Sequence, residues 1–286
     1  MKTVLKLVLI STISTSINAQ CGPQSFVIQP GQPDPCSMGR ANKPPVSYPH
    51  LREADVMWSK RIWRVIDLRE KLNLPMYYPT EEQVCLKSLF DVIKCAVLDG
   101  ELLAFANPAF DDEFRSPMTK SEIRNLLVRW DSTHTTEAID GSGNSVISPI
   151  KIEITSDKIR QYWIKEDWFF DKERSVMEVR IIGICPLTEK VSESGEVVGL
   201  SPLFWIYFPD ARPYLSNAAV YNRWNDRERM SYDELFEKRM FSSYIRKESN
   251  VYDRSVAEYK SGMDALLESE DIKEEIFKYE SNLWHY

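Results

Sequence analysis

Three acidic residues near position 170 are the first whose type could do chemistry. Asp167, Asp171 and Glu173 could supply the pair of carboxylates that hydrolyses a glycosidic bond. That reaction requires two carboxyl groups about 5–10 Å apart in space, and closeness in sequence does not establish such a distance. Because the chain is acidic, we interpret these three side chains as solvated or salt-bridged.

Other catalytic and metal-binding patterns are absent from the sequence. It contains no phosphate-binding loop, dinucleotide glycine fingerprint, HExxH motif or GxSxG motif. Its three histidines, His50, His134 and His285, are far apart, and there is no CxxC pair for zinc. Residues 140–144 predict a turn, and they lack the carboxylate pattern of a calcium loop. We therefore expect a protein that is not an enzyme and has no catalytic residue, cofactor or metal site.

The N-terminus has the order of a secretory signal peptide. Lys2 and Lys6 precede an apolar stretch at 7–17, and Ala19 places a small residue before Gln20. We expect simple cleavage after residue 19, because lipid attachment to the cysteine that follows would require a small residue in place of Gln20. A buried N-terminal helix or strand is the alternative. No later stretch reaches the roughly 20 apolar residues of a membrane span, so we expect a soluble exported protein.

The charge and the aromatic content of the chain restrict its partners. Its formal net charge is −7, which would repel nucleic acid and anionic lipid. Aromatic residues make up 12% of the chain, with eight tryptophans, which favours a well-filled core and adhesive protein surfaces. We therefore expect protein partners and no nucleic acid.

The cysteines predict one disulfide in the oxidising compartment that a signal peptide implies. There are five, an odd number. Cys85 and Cys95 are ten residues apart in one expected helix, a rise of about 15 Å, whereas a bridge spans at most about 7 Å between Cα atoms. We predict that Cys21 bonds to Cys36, with a link from one of them to another subunit as the alternative. We expect Cys185 to be buried.

The signal peptide is followed by an arm and then by a domain. Residues 20–50 hold seven of the sixteen prolines and predict an extended arm. Phe26, Val27 and Ile28 are its apolar anchor and are candidates for contact with a neighbouring subunit, although a disordered leader is the alternative. Residues 51–286 are expected to form a single α+β domain.

A helix is expected to open this domain after Pro49. An α-helix turns by about 100° per residue, which places most of the apolar residues on one face. Val56 and Trp63 fall on the opposite face. Trp63 is therefore either buried on a second side of the helix or directed towards a partner, and we name it as an interface candidate.

Further helices and a central sheet complete the expected fold. Thr80 and Gln83 predict a capping box for a helix that ends at Gly100, and a short helix is expected over 121–130. Alternating or β-rich runs predict strands over 150–154, 176–182 and 203–208. Ser231 begins another helix, and a final helix covers 265–283. The fold class is α+β, with an antiparallel sheet in the middle of the chain and helices on either side.

Five stretches of the domain are distinctive in sequence. They read READVMWSKRIWRVIDLRE (52–70), LPMYYP (74–79), FDKERSVMEVRIIGICP (170–186), LFWIYFP (203–209) and KRMFSSYIRKESNVYDR (238–254). Together they closely resemble the gliding-motility protein family GldN, called PorN in non-gliding relatives. The stretches span nearly the whole expected mature chain.

The resemblance implies a periplasmic component of the type IX secretion system of Bacteroidetes. Members of this family form a ring with an outer-membrane lipoprotein, GldK or PorK, and lie near the inner-membrane motor proteins GldL and GldM. The ring supports protein export and, in gliding species, adhesin movement. The resemblance brings no catalytic residues. A periplasmic cell-wall hydrolase that uses Asp or Glu, and a small-ligand-binding periplasmic module, are the alternatives.

Overall fold

The computed structural model describes residues 44–283, apart from 82, 84–85, 110, 132–134, 138–144, 148–149, 192–196, 224 and 226–229. Several sequence predictions lie outside these residues. They are the signal peptide, most of the arm, the anchor residues Phe26, Val27 and Ile28, the bridge between Cys21 and Cys36, and the turn at 140–144.

The described elements follow one another in this order. The first half contains β1 Val56–Asp67, α1 Leu74–Tyr77, α2 Leu89–Asp99, β2 Ala104–Phe105, α3 Lys120–Leu127, β3 Val128–Asp131, β4 Thr135–Glu137, β5 Ser145–Ile147 and β6 Ile150–Glu153. The second half contains β7 Ile159–Asp171, β8 Val176–Val191, β9 Val197–Pro202, β10 Trp205–Tyr207, α4 Phe208–Asn217, β11 Ala219–Val220, β12 Met230–Ser231, α5 Tyr232–Glu237, β13 Tyr244–Glu248, α6 Val256–Tyr259 and α7 Met263–Asn282.

A seven-stranded antiparallel sheet organises the chain. Its order is β13-β1-β7-β8-β10-β2, and β9 also pairs with β8. The long hairpin of β7 and β8 forms its centre and keeps register from Asp171 opposite Val176 to Ile159 opposite Thr188, with two bulges. Three two-stranded pairs lie apart from it, β11 with β12, β3 with β6, and β4 with β5. The predicted α+β class with an antiparallel sheet is confirmed.

The predicted first helix is wrong, because residues 56–67 form the strand β1. Successive side chains of a strand point to opposite faces, so Ile62 and Ile66 lie on one side and Trp63 and Val65 on the other. All four are buried, since layers of the protein cover both faces of the sheet here. A strand buried on both faces shows no polar alternation, and its apolar residues can mimic helical spacing. The expected helix required a second apolar face opposite the first. In the structure this second face is the other side of the strand.

The helices α2, α3, α4 and α5 cover one face of the sheet and form the main core with it. Ile66 and Tyr162 are opposite each other on neighbouring strands and belong to this core. The helices contribute Phe90, Leu127 and Leu235 among others. Burial of such side chains supplies the main favourable free energy of folding.

Side chains at the helix ends correct one predicted boundary and confirm two. The helix that was expected to begin at Thr80 begins at Leu89, where Ser88 Oγ accepts a hydrogen bond of 3.1 Å from the amide of Asp91. Its predicted end at Gly100 is confirmed, with a φ of 78° that favours glycine. Ser231 caps α5 as predicted and accepts from the amide of Glu234 at 3.1 Å.

Candidate protein interaction surface

Trp63 is the interface candidate that lies within the described residues, and the structure buries it. Only 7% of its surface is exposed, and its indole Nε1 donates to Asp112 Oδ2 at 2.7 Å. Lys247 Nζ lies 4.5 Å and Lys165 Nζ 5.7 Å from its ring centroid. Of the two alternatives given by the sequence, burial within the chain is the one observed. Trp63 therefore offers little area to a partner, and its role at an interface stays a prediction.

An aromatic layer surrounds Trp63 on the face of the sheet opposite the main core. Trp205 and Cys185 are buried beside it, and the Phe114 ring packs against Gly183. A Cβ at Gly183 would approach Phe114 Cζ to 2.6 Å, so this close contact requires glycine. The burial of Cys185 confirms the sequence prediction. The layer closes this face of the sheet and leaves its tryptophans covered.

Lys165 is the buried cation of this layer. Its ammonium donates to the carbonyl of Asp112 at 2.6 Å and lies 3.5 Å from the carboxylate of the same residue. Burial lowers the pKa of Lys165, and the Asp112 charge opposes that shift. The Lys165 charge is therefore paired with Asp112, which lies in the loop that covers the layer. This contact links the loop to the sheet.

The three acids that were considered for sugar hydrolysis have structural partners or face solvent. Asp167 forms a bidentate pair with Arg61 at 2.7 and 3.0 Å. Asp171 accepts hydrogen bonds from the amides of Glu173 and Arg174 in the turn between β7 and β8. Glu173 is exposed. The interpretation of these residues as solvated or salt-bridged agrees with the described geometry.

The described residues contain no group of three or more His, Cys, Asp or Glu side chains arranged to hold a metal ion. In the same part of the chain, none of the helices combines the length and the apolar character needed to cross a bilayer.

Among the described residues, exposed apolar side chains recur on the loop before α6 and on the outer face of α7. We call these side chains the C-terminal surface, and every member is half or more exposed. Its members are Val251, Tyr252, Met263, Leu266, Leu267 and Phe277. Single exposed apolar residues are ordinary, whereas several on one helix face, as on α7, are typical of an interaction site.

The helix α7 is fixed to the sheet by the opposite face. Ile272 and Ile276 are buried against Ile62 and Ile245. Ser269 Oγ accepts a hydrogen bond of 2.8 Å from the amide of Ile245, which lies on the edge strand β13. Because this face is held, Met263 and Phe277 are presented outwards by a helix of fixed orientation.

A loop before α6 carries Val251 and Tyr252 and is held by one asparagine. Asn250 Oδ1 accepts from the amides of Tyr252 and Arg254 at 3.1 and 3.0 Å. Its Nδ2 donates to the carbonyls of Glu248 and Arg254 at 3.0 and 2.8 Å. The Arg254 guanidinium lies 4.4 Å from the Tyr252 ring. Because this loop is already ordered, the entropic cost of ordering it when a partner binds is smaller.

The helix that carries four members of this surface is strongly acidic. The helix α7 carries seven acidic and two basic residues, a net charge of −5. Apolar side chains among acids match a partner whose apolar residues stand among lysines or arginines.

The sequence carries a signal for this surface. The expected final helix had one apolar face, which includes Ile272 and Ile276 and is buried as predicted. A second apolar set, Met263, Leu267 and Phe277, recurs at helical spacing on the other side.

Comparisons with known proteins bear on the same part of the chain. A comparison with curated proteins found no match. The model of one protein family, described as gliding motility associated protein GldN, matches residues 51–285, which include both the sheet and the C-terminal surface. The chain therefore belongs to the GldN family.

Proposed function

We propose that this protein is a non-enzymatic structural subunit of the type IX secretion and gliding-motility machinery. It is exported to the periplasm and associates with the outer membrane through a lipoprotein of the GldK or PorK type. It forms a ring with that lipoprotein, close to the inner-membrane proteins GldL and GldM, and supports protein export. The family membership makes the chain a gliding-motility component, and the assembly, partners and location are our proposal.

The observation that carries the proposal is the C-terminal surface. Its apolar side chains are exposed and are carried by the anchored helix α7 and by the loop that Asn250 orders, and those on α7 stand among acidic residues. Apolar residues at the centre with charged residues around them are typical of protein interfaces. A subunit whose role is assembly requires such a surface.

Export is supported by the first 19 residues, which have the order of a signal peptide. The hydrolase alternative gains no support from the described acids, because Asp167 and Asp171 are bound within the fold.

The test is direct binding between the purified chain and the periplasmic part of the lipoprotein. Tyr252→Ala removes an aromatic residue from the C-terminal surface, and Tyr221→Ala removes an exposed tyrosine from elsewhere on the protein. Tyrosines at the centre of an interface commonly contribute about 2 kcal/mol or more. We expect Tyr252→Ala to weaken binding and Tyr221→Ala to leave it unchanged. Equal affinities for both variants would contradict the assignment of the surface, and no binding by the unaltered chain would contradict the proposed function.

A further inference from the structure

The central strand β8 has an edge that no described strand covers. On the side away from β7, β10 pairs with Gly183 and Ile184, and β9 pairs with Leu187–Val191. The seven residues Val176–Ile182 have no strand partner on that side among the described residues. At about 3.3 Å per residue they offer roughly 20 Å of strand edge. An uncovered edge of this kind is a template for an added strand.

A cavity with apolar and charged walls lies beside this edge. Its volume is about 210 Å³, and it is lined by Met177, Val179, Ile181, Phe208 and Phe236 together with Tyr48, Arg212, Asp233, Glu237 and Arg239. Pockets for small-molecule ligands commonly measure about 300–1,000 Å³, so this cavity suits one inserted side chain better than a separate ligand. A strand edge beside a side-chain pocket is the arrangement by which proteins bind extended peptides.

The arm of the chain reaches the domain at this same edge. Arg180 on β8 donates to the carbonyl of Pro49 at 2.9 Å. The Tyr48 ring lies 4.3 Å from the guanidinium of Arg212, which is paired with Asp233 at 2.8 Å. The described end of the arm, at Tyr48 and Pro49, therefore lies beside the open edge.

We propose that the edge Val176–Ile182 binds the segment Phe26–Ile28 of a second copy of this chain as an added strand. This segment is the arm's only run of β-type apolar residues. Its backbone would pair with the edge of β8, and the cavity would receive the Phe26 side chain. The inference deepens the proposed self-association and rests on it.

The composition of the arm favours a second copy over the same chain. Residues 29–43 separate the segment from the first described residue and contain Pro30, Pro33 and Pro35. Proline-rich chain extends by about 3.1 Å per residue, so fifteen residues can span up to about 45 Å, enough to reach a neighbouring copy. Because donor and acceptor lie on different parts of one chain, the contact joins copies head to tail. Such contacts generate rings when the rotation closes.

Photo-cross-linking with isotope-labelled chains tests this arrangement. A chain lacking residues 1–19, with a photoreactive phenylalanine analogue in place of Phe26, is mixed with an isotope-labelled chain that lacks the analogue. After irradiation, mass spectrometry identifies the joined peptides and the chain from which each came. We expect cross-links from position 26 of the unlabelled chain to Val176–Ile182 of the labelled chain.

Two proline substitutions provide the matched comparison. Val27→Pro removes a backbone donor from the segment, and Gln32→Pro adds a proline to the arm outside it. Loss of a hydrogen bond and of its neighbouring contacts should lower the cross-link yield about tenfold for Val27→Pro, with no change for Gln32→Pro. Equal yields for the two variants would contradict pairing of this segment.

Other outcomes overturn the inference. Cross-links within a single chain would show that the arm binds its own domain. Cross-links to other parts of the second chain, or no cross-links, would show that the edge of β8 is not the acceptor. Because the mixture contains only this protein, such a failure leaves binding to the lipoprotein unaffected. Loss of lipoprotein binding is a separate result, and that result contradicts the proposed function.

Discussion

Two neighbouring residues of α7 allow stability and partner binding to be separated. Ile276 is 4% exposed and packs with Ile62, Ile245 and Ile272. Phe277 follows it on the outer face and is 68% exposed. We expect Ile276→Ala to reduce the free energy of unfolding by about 2–5 kcal/mol, because truncation of a buried isoleucine also leaves a cavity.

The expected effect of Phe277→Ala follows from its exposure. Burial of a whole phenylalanine side chain contributes about 1.5–3 kcal/mol, and about one third of Phe277 is covered. The variant should therefore lose only about 0.5–1 kcal/mol of stability. If a partner covers the remaining two thirds, the same variant should lose about 1–2 kcal/mol of binding free energy, an affinity about 5 to 30 times lower.

Urea unfolding followed by tryptophan fluorescence measures the first quantity, and Trp58 is a suitable reporter because it stacks on Tyr279 of α7 at 4.8 Å. Titration calorimetry with the lipoprotein measures the second. The reasoning is refuted if Phe277→Ala destabilises the fold as much as Ile276→Ala, or if Phe277→Ala binds the lipoprotein as tightly as the unaltered chain.

Three further predictions concern charges and thiols within the fold. Arg212 and Asp233 form a buried pair at 2.8 Å, so Asp233→Ala should cost about 3–5 kcal/mol in urea unfolding, and replacing both residues by leucine should cost less. Hydrogen bonds from Arg69 lower the pKa of Asp67 in the folded state, so its stabilising effect is present above the unfolded pKa and is lost as pH falls through the folded pKa. Asp67→Asn should therefore destabilise at neutral pH, and in unfolding curves the difference should shrink as pH falls below about 3.9 and vanish once pH is below the folded pKa; a difference that stays constant over this range would contradict this. Burial raises the pKa of the Cys185 thiol, so iodoacetamide should alkylate it only in denaturant, and alkylation of the folded protein would show that the aromatic layer opens.

Local patterns predicted those parts of the fold that depend on a few neighbouring residues. The cap at Ser231, the end at Gly100 and the buried face of α7 are each determined within about two helical turns. The strand β1 could not be distinguished from a helix because the layers that bury Ile62 and Trp63 come from distant parts of the chain.

The candidate surface was only partly accessible to sequence reasoning. The second apolar set on α7 was visible, but whether that set or the set of Ile272 and Ile276 faces the core depends on where β1 and β13 lie. Trp63 was recognised as unusual, but its partner Asp112 is 49 positions away and no local pattern connects the two.

The most direct test of the central claim is purification of native complexes through a tag on this chain, with every chain identified by mass spectrometry. We expect the outer-membrane lipoprotein of the GldK or PorK type to co-purify in a large assembly, with this chain beginning at Gln20. Replacement of Phe277 should reduce recovery of the lipoprotein. Isolation of the chain as a monomer without the lipoprotein, or with its first nineteen residues intact, would contradict the account.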